Sequence, residues 1–424
     1  MPHQLAVTVR ANVRTERLDD LGELLTEINK SGPVNHVLPF GRLAGVHFAR
    51  LFILPEVTDL AGEAIPPSLV YISEVDASLD RHLDDLVRVA GPGLDRIFGH
   101  CADYLPQPVR AADRVRWLRA HFVSTRAFYV NTVGRGVEQI RQEAELRGAV
   151  ESFLDQSRAD LSGHGARQAR AAVQAFVAGR PDLAWAQSPP APPSLLWRAK
   201  ETAHLLAVPL VGLAASPLLA PALPVWAALL RWHERRDVPS MERPDLGHLR
   251  ELADLEDFVA QNPFTAVGLL KPGRFRRLTA GVVLELVDYG IRHIFNRGSL
   301  TGVKTIHFAR WVFLDDKRRL LFASNYDGSV SSYQDDFINL VAWGLNAVFS
   351  AGVGYPRTNW LVFAGARQEQ VFKNWEYRQM LPTQVWYSAY DSLTAKNIAD
   401  NARLRAGLSG EMTESAAAAW LALL

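Results

Sequence analysis

Two halves of the chain alternate apolar and polar positions in the same order. Near the N-terminus QLAVTVRANV alternates as a strand does, and RLDDLGELLTEI carries leucines three and four apart, the spacing of a helix with one apolar face. Two strand-like runs follow, GVHFARLFILPE and SLVYISEVD, then a helix over 78–89 and a later strand, AFYVNTV, over 127–133. The order returns in the second half. PFTAVGLLK reads as a strand and RRLTAGVVLELVDYGIRHIF as a long helix; strands over 303–313 and 319–326, a helix over 329–349 and a strand NWLVFAG over 359–365 follow. A helix over 367–379, a strand over 383–390 and a helix over 397–408 extend this half, with Gly407 and Gly410 as its stop. The tail EMTESAAAAWLALL reads as a short docking helix.

The tetrapeptide His-Phe-Ala-Arg occurs in both halves, at His47 to Arg50 and at His307 to Arg310. Each copy precedes a strand ending in an aspartate, Asp76 and Asp327, and adjacent acids follow, Asp84 and Asp85 in one half, Asp335 and Asp336 in the other. Matching order and matching residues predict a duplication, each unit β-α-β-β-α-β, which is a ferredoxin-like order. Two such sheets in one chain can bury their apolar faces against each other. The predicted fold class is therefore α+β, tandem ferredoxin-like units forming an intramolecular dimeric α/β-barrel with a helical and proline-rich apolar insert. The expected boundaries are 1–135 for the first unit, 136–182 for a helical extension, 183–240 for the proline-rich linker and apolar segment, 241–410 for the second unit and 411–424 for the tail.

The insert breaks the pattern. After the proline-rich AWAQSPPAPPS, no Asp, Glu, Lys or Arg occurs from Thr202 through Leu230, and Pro209, Pro217, Pro221 and Pro224 interrupt that run. Arg198 and Lys200 precede it; Arg231, Arg235 and Arg236 follow. A hairpin dipping into one leaflet accommodates the prolines and sets both basic flanks against one anionic surface. A buried helical hairpin or subunit contact, and a single membrane span, are the alternatives. The first reading places the protein on the cytoplasmic face of a membrane, peripheral or re-entrant.

Composition narrows the chemistry. Apolar residues are 48% of the 424, enough for a packed core, and the net charge of +1 predicts no nucleic-acid partner. The single cysteine, Cys101, excludes an intramolecular disulfide and a cysteine-based metal centre. The first apolar run is short and meets charge at once, so no secretory leader is expected. Nucleotide loops, nucleophile elbows and HExxH are absent from the sequence. Strand alternation separates His307 from Arg310, which reads either as two polar anchors or as a site built around a bulge. An Arg310–Asp336 ion pair is expected. Asn325 and Asp327 share a strand face, and the run of Ser324, Asn325, Tyr326, Asp327 and Gly328 leads into the next helix through a turn. The C-terminal aromatics, from Trp360 to Tyr390, permit an apolar pocket suited to a lipid, a quinone or a porphyrin.

The whole arrangement resembles the dimeric α/β-barrel superfamily in its duplicated, single-chain form, which includes dye-decolourising peroxidases and chlorite-dismutase-like haem enzymes. The peroxidases carry a GxxDG signature; here Asp327 and Gly328 match it and Ser324 stands for the first glycine. The resemblance implies haem as cofactor, Asp327 as the distal acid and Arg310 as the group stabilising the departing oxygen, with Asn325 and His307 beside them as candidate catalytic residues. It implies His293 as the proximal ligand, with His307 second. The expected function is a membrane-associated, peroxidase-like oxidoreductase acting on an apolar or lipid-like substrate. The alternatives are a non-catalytic lipid-binding or membrane scaffold protein and a cofactor-free enzyme on a lipid-like substrate. Expected partners are an apolar small molecule or lipid and an anionic membrane surface, with homo-oligomerisation left open.

Overall fold

The computed structural model describes residues 4–32, 35–188, 193–256, 260–295 and 298–424. The strands of the two main sheets are β1 (Leu5–Asn12), β2 (Val46–Leu54), β3 (Ser68–Val75), β4 (Ala127–Val130), β5 (Gln261–Leu269), β6 (Ile306–Leu314), β7 (Arg319–Asp327) and β8 (Val385–Ser388). They form two antiparallel sheets in the orders β1-β3-β2-β8 and β4-β6-β7-β5. The helices that frame them are α1 (Leu18–Lys30), α2 (Leu79–Phe98), α3 (Val137–Gln156), α4 (Leu195–Arg236), α5 (Arg274–His293), α6 (Val330–Phe349), α7 (Glu369–Gln379) and α8 (Ala395–Ala406).

The barrel expectation is overturned. The fold is mostly helical, 52% helix against 19% strand, and both sheets are open, so this is not a ferredoxin-like dimeric barrel. The units are not self-contained either. β4, expected to complete the first, pairs with β6 of the second sheet, and β8 crosses back to pair with β2 of the first. The run 359–365 is no sheet strand. It forms part of a small ribbon, Thr358–Asn359 against Phe363–Ala364, turned through the left-handed residues Trp360 and Leu361. Closure is unnecessary because each sheet buries both faces. Phe52, Leu54, Val70 and Ile72 meet Val312, Leu314, Leu321 and Ala323 in one core cluster. Helices cover the outer faces: Leu21 and Leu25 of α1 and Leu83 and Leu86 of α2 on one side, Leu284 of α5 and Phe337 and Leu345 of α6 on the other. The C-terminal helix Glu414–Leu421 docks through Trp420, whose indole N–H donates to the Leu404 carbonyl at 2.9 Å.

The insert is also corrected. Where the sequence predicts breaks and a hairpin, α4 is one continuous 42-residue helix, capped by the Ser194 hydroxyl, which accepts from the Trp197 N–H. At 1.5 Å per residue it is about 63 Å long. Residues 189–192 of the preceding proline-rich run lie outside the described residues.

Candidate functional site

The two His-Phe-Ala-Arg strands carry equivalent irregularities. The register of β2 against β3 slips between Val46 and Phe48, and that of β6 against β7 slips between Ile306 and Phe308. A bulge at each histidine frees it from strict alternation. His47 Nε2 then meets Asp76 at 2.8 Å, and His307 Nε2 meets Asp327 at 2.7 Å. Each aspartate uses its second oxygen on a helix N-terminus: Asp76 accepts from the Val137 N–H of α3 at 2.8 Å, Asp327 from the Ala395 N–H of α8 at 2.7 Å. His47 Nδ1 lies 2.8 Å from the Tyr390 hydroxyl. Burial, with Asp76 nearby, holds the Tyr390 phenol well above its usual range, so it stays protonated.

The two arginines cross the sheet interface in opposite directions, both with 0% exposure. Arg50 donates to the Phe264 carbonyl at 2.7 Å, Thr265 Oγ1 at 2.9 Å, the Ser324 carbonyl at 2.7 Å and Asn325 Oδ1 at 2.5 Å. Arg310 donates to the Val7 carbonyl at 2.7 Å, Thr8 Oγ1 at 3.1 Å, the Ser73 carbonyl at 2.8 Å and the Glu74 carboxylate. The two acceptor sets correspond, with Glu74 in place of Asn325. Desolvation lowers both guanidinium pKa values, that of Arg50 to about 10, and the attraction of Glu74 opposes the shift in each.

These contacts correct the expected chemistry. Arg310 pairs with Glu74 of the other sheet and not with Asp336; Asp335 instead meets Lys373 at 2.5 Å. Asp327 has both oxygens engaged, and Asn325 is fully buried beneath Arg50. His307 packs against the Phe48 ring at 5.5 Å between centroids. His293 lies on the far side of the second sheet at the end of α5, its Nε2 2.7 Å from His204 Nδ1 of α4. The four residues Asp327, Arg310, His307 and Asn325 are thus brought together as polar anchors between sheets and helices, apart from His293. Among the described residues no group of three or more His, Cys, Asp or Glu could hold a metal ion. The residues do not fit an axial ligand and distal acid around a haem. With no barrel to house it, the peroxidase, haem and oxidoreductase reading loses its support.

The sequence signal that survives without a structural use is apolar surface. The most apolar 18-residue window of α4 has a mean hydropathy of 1.9 and none of it is buried. α4 runs antiparallel to α5 and touches it at both ends. At one end Glu201 pairs with Arg292 at 2.5 Å, His204 meets His293, and the Tyr289 hydroxyl donates to the Leu205 carbonyl at 3.2 Å. At the other, the Trp226 indole donates to Thr279 at 3.2 Å and His233 stacks on Phe275. Glu234 is held by Thr358 at 2.9 Å and the Leu361 N–H at 2.7 Å. Sequence reasoning found this segment from its missing charges and missed that it is pinned at two points.

Between α5 and α6 lies a cavity of about 270 Å³, walled by Val283, Ile291, Trp311, Phe337 and Val341 among others. Comparison with protein-family models, with curated proteins and with solved structures gives no match.

Proposed function

We propose that this is a non-catalytic lipid-binding protein that docks on an anionic membrane surface through α4. The observation that carries the reading is the long apolar helix held in the open. A helix apolar all round is stable in a core or in lipid, and the most apolar stretch of this one is not buried by protein. Its two pinning points favour an in-plane helix over a perpendicular crossing, because Leu205 and Trp226 are about 32 Å apart along the axis and both rest on the same body. In this reading the helix lies in the plane of the interface, with Arg198, Lys200, Arg235 and Arg236 at the headgroup layer, while Arg231 pairs with the buried Glu234. Leu278 on α5 and Trp343 on α6 are further exposed apolar side chains.

The test is flotation of the full chain with vesicles containing anionic lipid, at low and high salt. The wild type is expected to float in both, because screening weakens only the basic flanks. Replacing Leu210, Leu213 and Leu218 by Glu should leave the fold intact, since all three side chains are exposed, and abolish flotation. A soluble wild type, or a floating triple variant, refutes the reading.

A further inference from the structure

The cavity between α5 and α6 is bounded by what the two helices lack. Gly290 of α5 and Gly344 of α6 both border it, and neither has a side chain to fill it. A Cβ at Gly290 would come within 3.6 Å of the Phe295 ring, another wall residue. At Val341, also in the wall, α6 leaves helical geometry, with φ −133° and ψ 19°. Wall residues continue along α6 from Phe337 to Val348, about 17 Å of helix, and along α5 from Val283 to Ile291, about 12 Å. The space is longer than one ring needs. Its volume of about 270 Å³ agrees: an apolar cavity of about 150 Å³ holds a benzene ring, so this one holds roughly ten carbons.

Most of the wall is aliphatic, as at Val283, Val287, Ile291, Leu345 and Val348. Among the described residues it carries no charged side chain, and its one hydroxyl, that of Thr301, donates to the Leu300 carbonyl at 2.7 Å. A carboxylate or phosphate drawn inside would lose its water with nothing in exchange. A methylene chain has no such need and gains by burial. The cavity is not sealed: Leu286 and Trp343, which border it, are 61% and 49% exposed. A polar head can stay in water there while its chain is buried. Leu286 is one turn of α5 from Tyr289, whose hydroxyl is bonded to α4, the helix assigned to the membrane.

We propose that the cavity between α5 and α6 takes one unbranched acyl chain, burying roughly ten of its carbons while the charged head stays outside. This deepens the lipid-binding reading and rests on membrane docking only for the supply of lipid. The probe is dodecanoic acid with a diazirine near its chain end, photolysed with the full chain in vesicle-free buffer. A second arm uses vesicles of a phospholipid bearing the same chain, and labelled residues are mapped in both. Labelling is expected at Val283, Phe337 and neighbouring wall residues, and whichever arm labels them names the source of the chain. Straight-chain acids from octanoic to hexadecanoic, kept below micelle-forming concentrations, then compete with the probe. The concentration for half-competition should fall about fourfold per methylene and level off once the cavity is full. Gly290→Leu should bring the levelling about three carbons earlier, close to the bulk of the added side chain. Ala347→Phe is a second filling variant, with circular dichroism and thermal unfolding reporting the fold of each. Labelling confined to α4, competition that strengthens at the same slope through hexadecanoic acid, or a levelling point unmoved by either folded variant overturns the proposal even where the protein floats with vesicles. Wall labelling by the free acid in a chain that fails to float sustains the cavity and refutes only the membrane docking.

Discussion

Arg50 and Arg310 occupy equivalent places and make equivalent bonds, yet their removal should cost different amounts. Arg310→Leu takes away the direct partner of Glu74, a residue 2% exposed whose Oε2 already has no hydrogen bond. Breaking a buried ion pair from one side costs about 3–5 kcal/mol. The attraction between Glu74 and Arg50 offsets part of this, which points to the lower end, about 3 kcal/mol. Arg50→Leu removes four hydrogen bonds and the attraction of Glu74, which outweighs the repulsion of Arg310, but it leaves neutral acceptors and Glu74 keeps its direct partner. Its cost should be smaller, about 1–2 kcal/mol. Glu74→Gln in the Arg310→Leu background should recover about 1.5 kcal/mol by removing the stranded charge. The assay is urea unfolding of the full chain in micelles, followed by circular dichroism, with the four proteins of the Arg310–Glu74 cycle and Arg50→Leu measured together. Equal costs for the two arginines within about 0.5 kcal/mol, or no recovery on neutralising Glu74, would refute the argument that charge, and not the shared hydrogen-bond geometry, sets the difference.

Burial pushes the Glu376 carboxyl up from 4.5 to about 8, with Lys373 and Gln334 opposing the shift. A carboxyl raised in the folded state favours folding below its unfolded value, so stability should fall as pH rises from about 4.5 to about 8, by a few kcal/mol in total. Glu376→Gln should flatten that slope, and a slope unchanged in urea titrations across the window would contradict the assignment. Asp327→Ala should raise amide exchange in the first turn of α8, and Asp76→Ala in the first turn of α3, each at a cost of about 1–2 kcal/mol. Exchange in those turns unchanged from the native chain would mean that the carboxylates do not anchor those helices.

The local elements were legible because each carries its own signal in a short stretch of sequence. The leucines of α1, the apolar runs of β2 and β6 and the turn after Asp327 place themselves without reference to distant residues. The repeated His-Phe-Ala-Arg located the strands whose residues anchor both halves, although the partner of Arg310 lay in the other sheet and could not be read from the spacing to Asp336. Strand pairing was not legible. β4 and β8 have four residues each, Ala-Phe-Tyr-Val and Val-Trp-Tyr-Ser, and both are buried on alternate positions. So short a strand fits the edge of either sheet by pattern alone, and the exchange that defeats the barrel is decided by register and by what the flanking helices cover.

The prolines of α4 mark the sharpest limit of reading by local rules. Each removes a backbone donor and disfavours a helix interior, by about 3 kcal/mol on a peptide scale, so four of them predict breaks. That scale treats each proline alone. What the sequence also contained, and counting did not use, is their phase: intervals of eight, four and three residues keep them on one side of a helix. Distortions on one side add as curvature, whereas distortions spread around the axis would have broken the rod in different directions. A curved rod can be pinned at both ends and still stand off the surface between them. Moving one proline to the opposite side, by Pro217→Ala together with Ala215→Pro, keeps the count and changes the phase, since Ala215 lies on the side facing α5 and is only partly exposed. The expected outcome is loss of the His204–His293 contact, read as a disulfide that no longer forms between cysteines placed at Glu201 and Arg292 in a Cys101→Ser background. A disulfide that forms as readily in the rephased chain as in the native one would show that proline phase does not shape the helix.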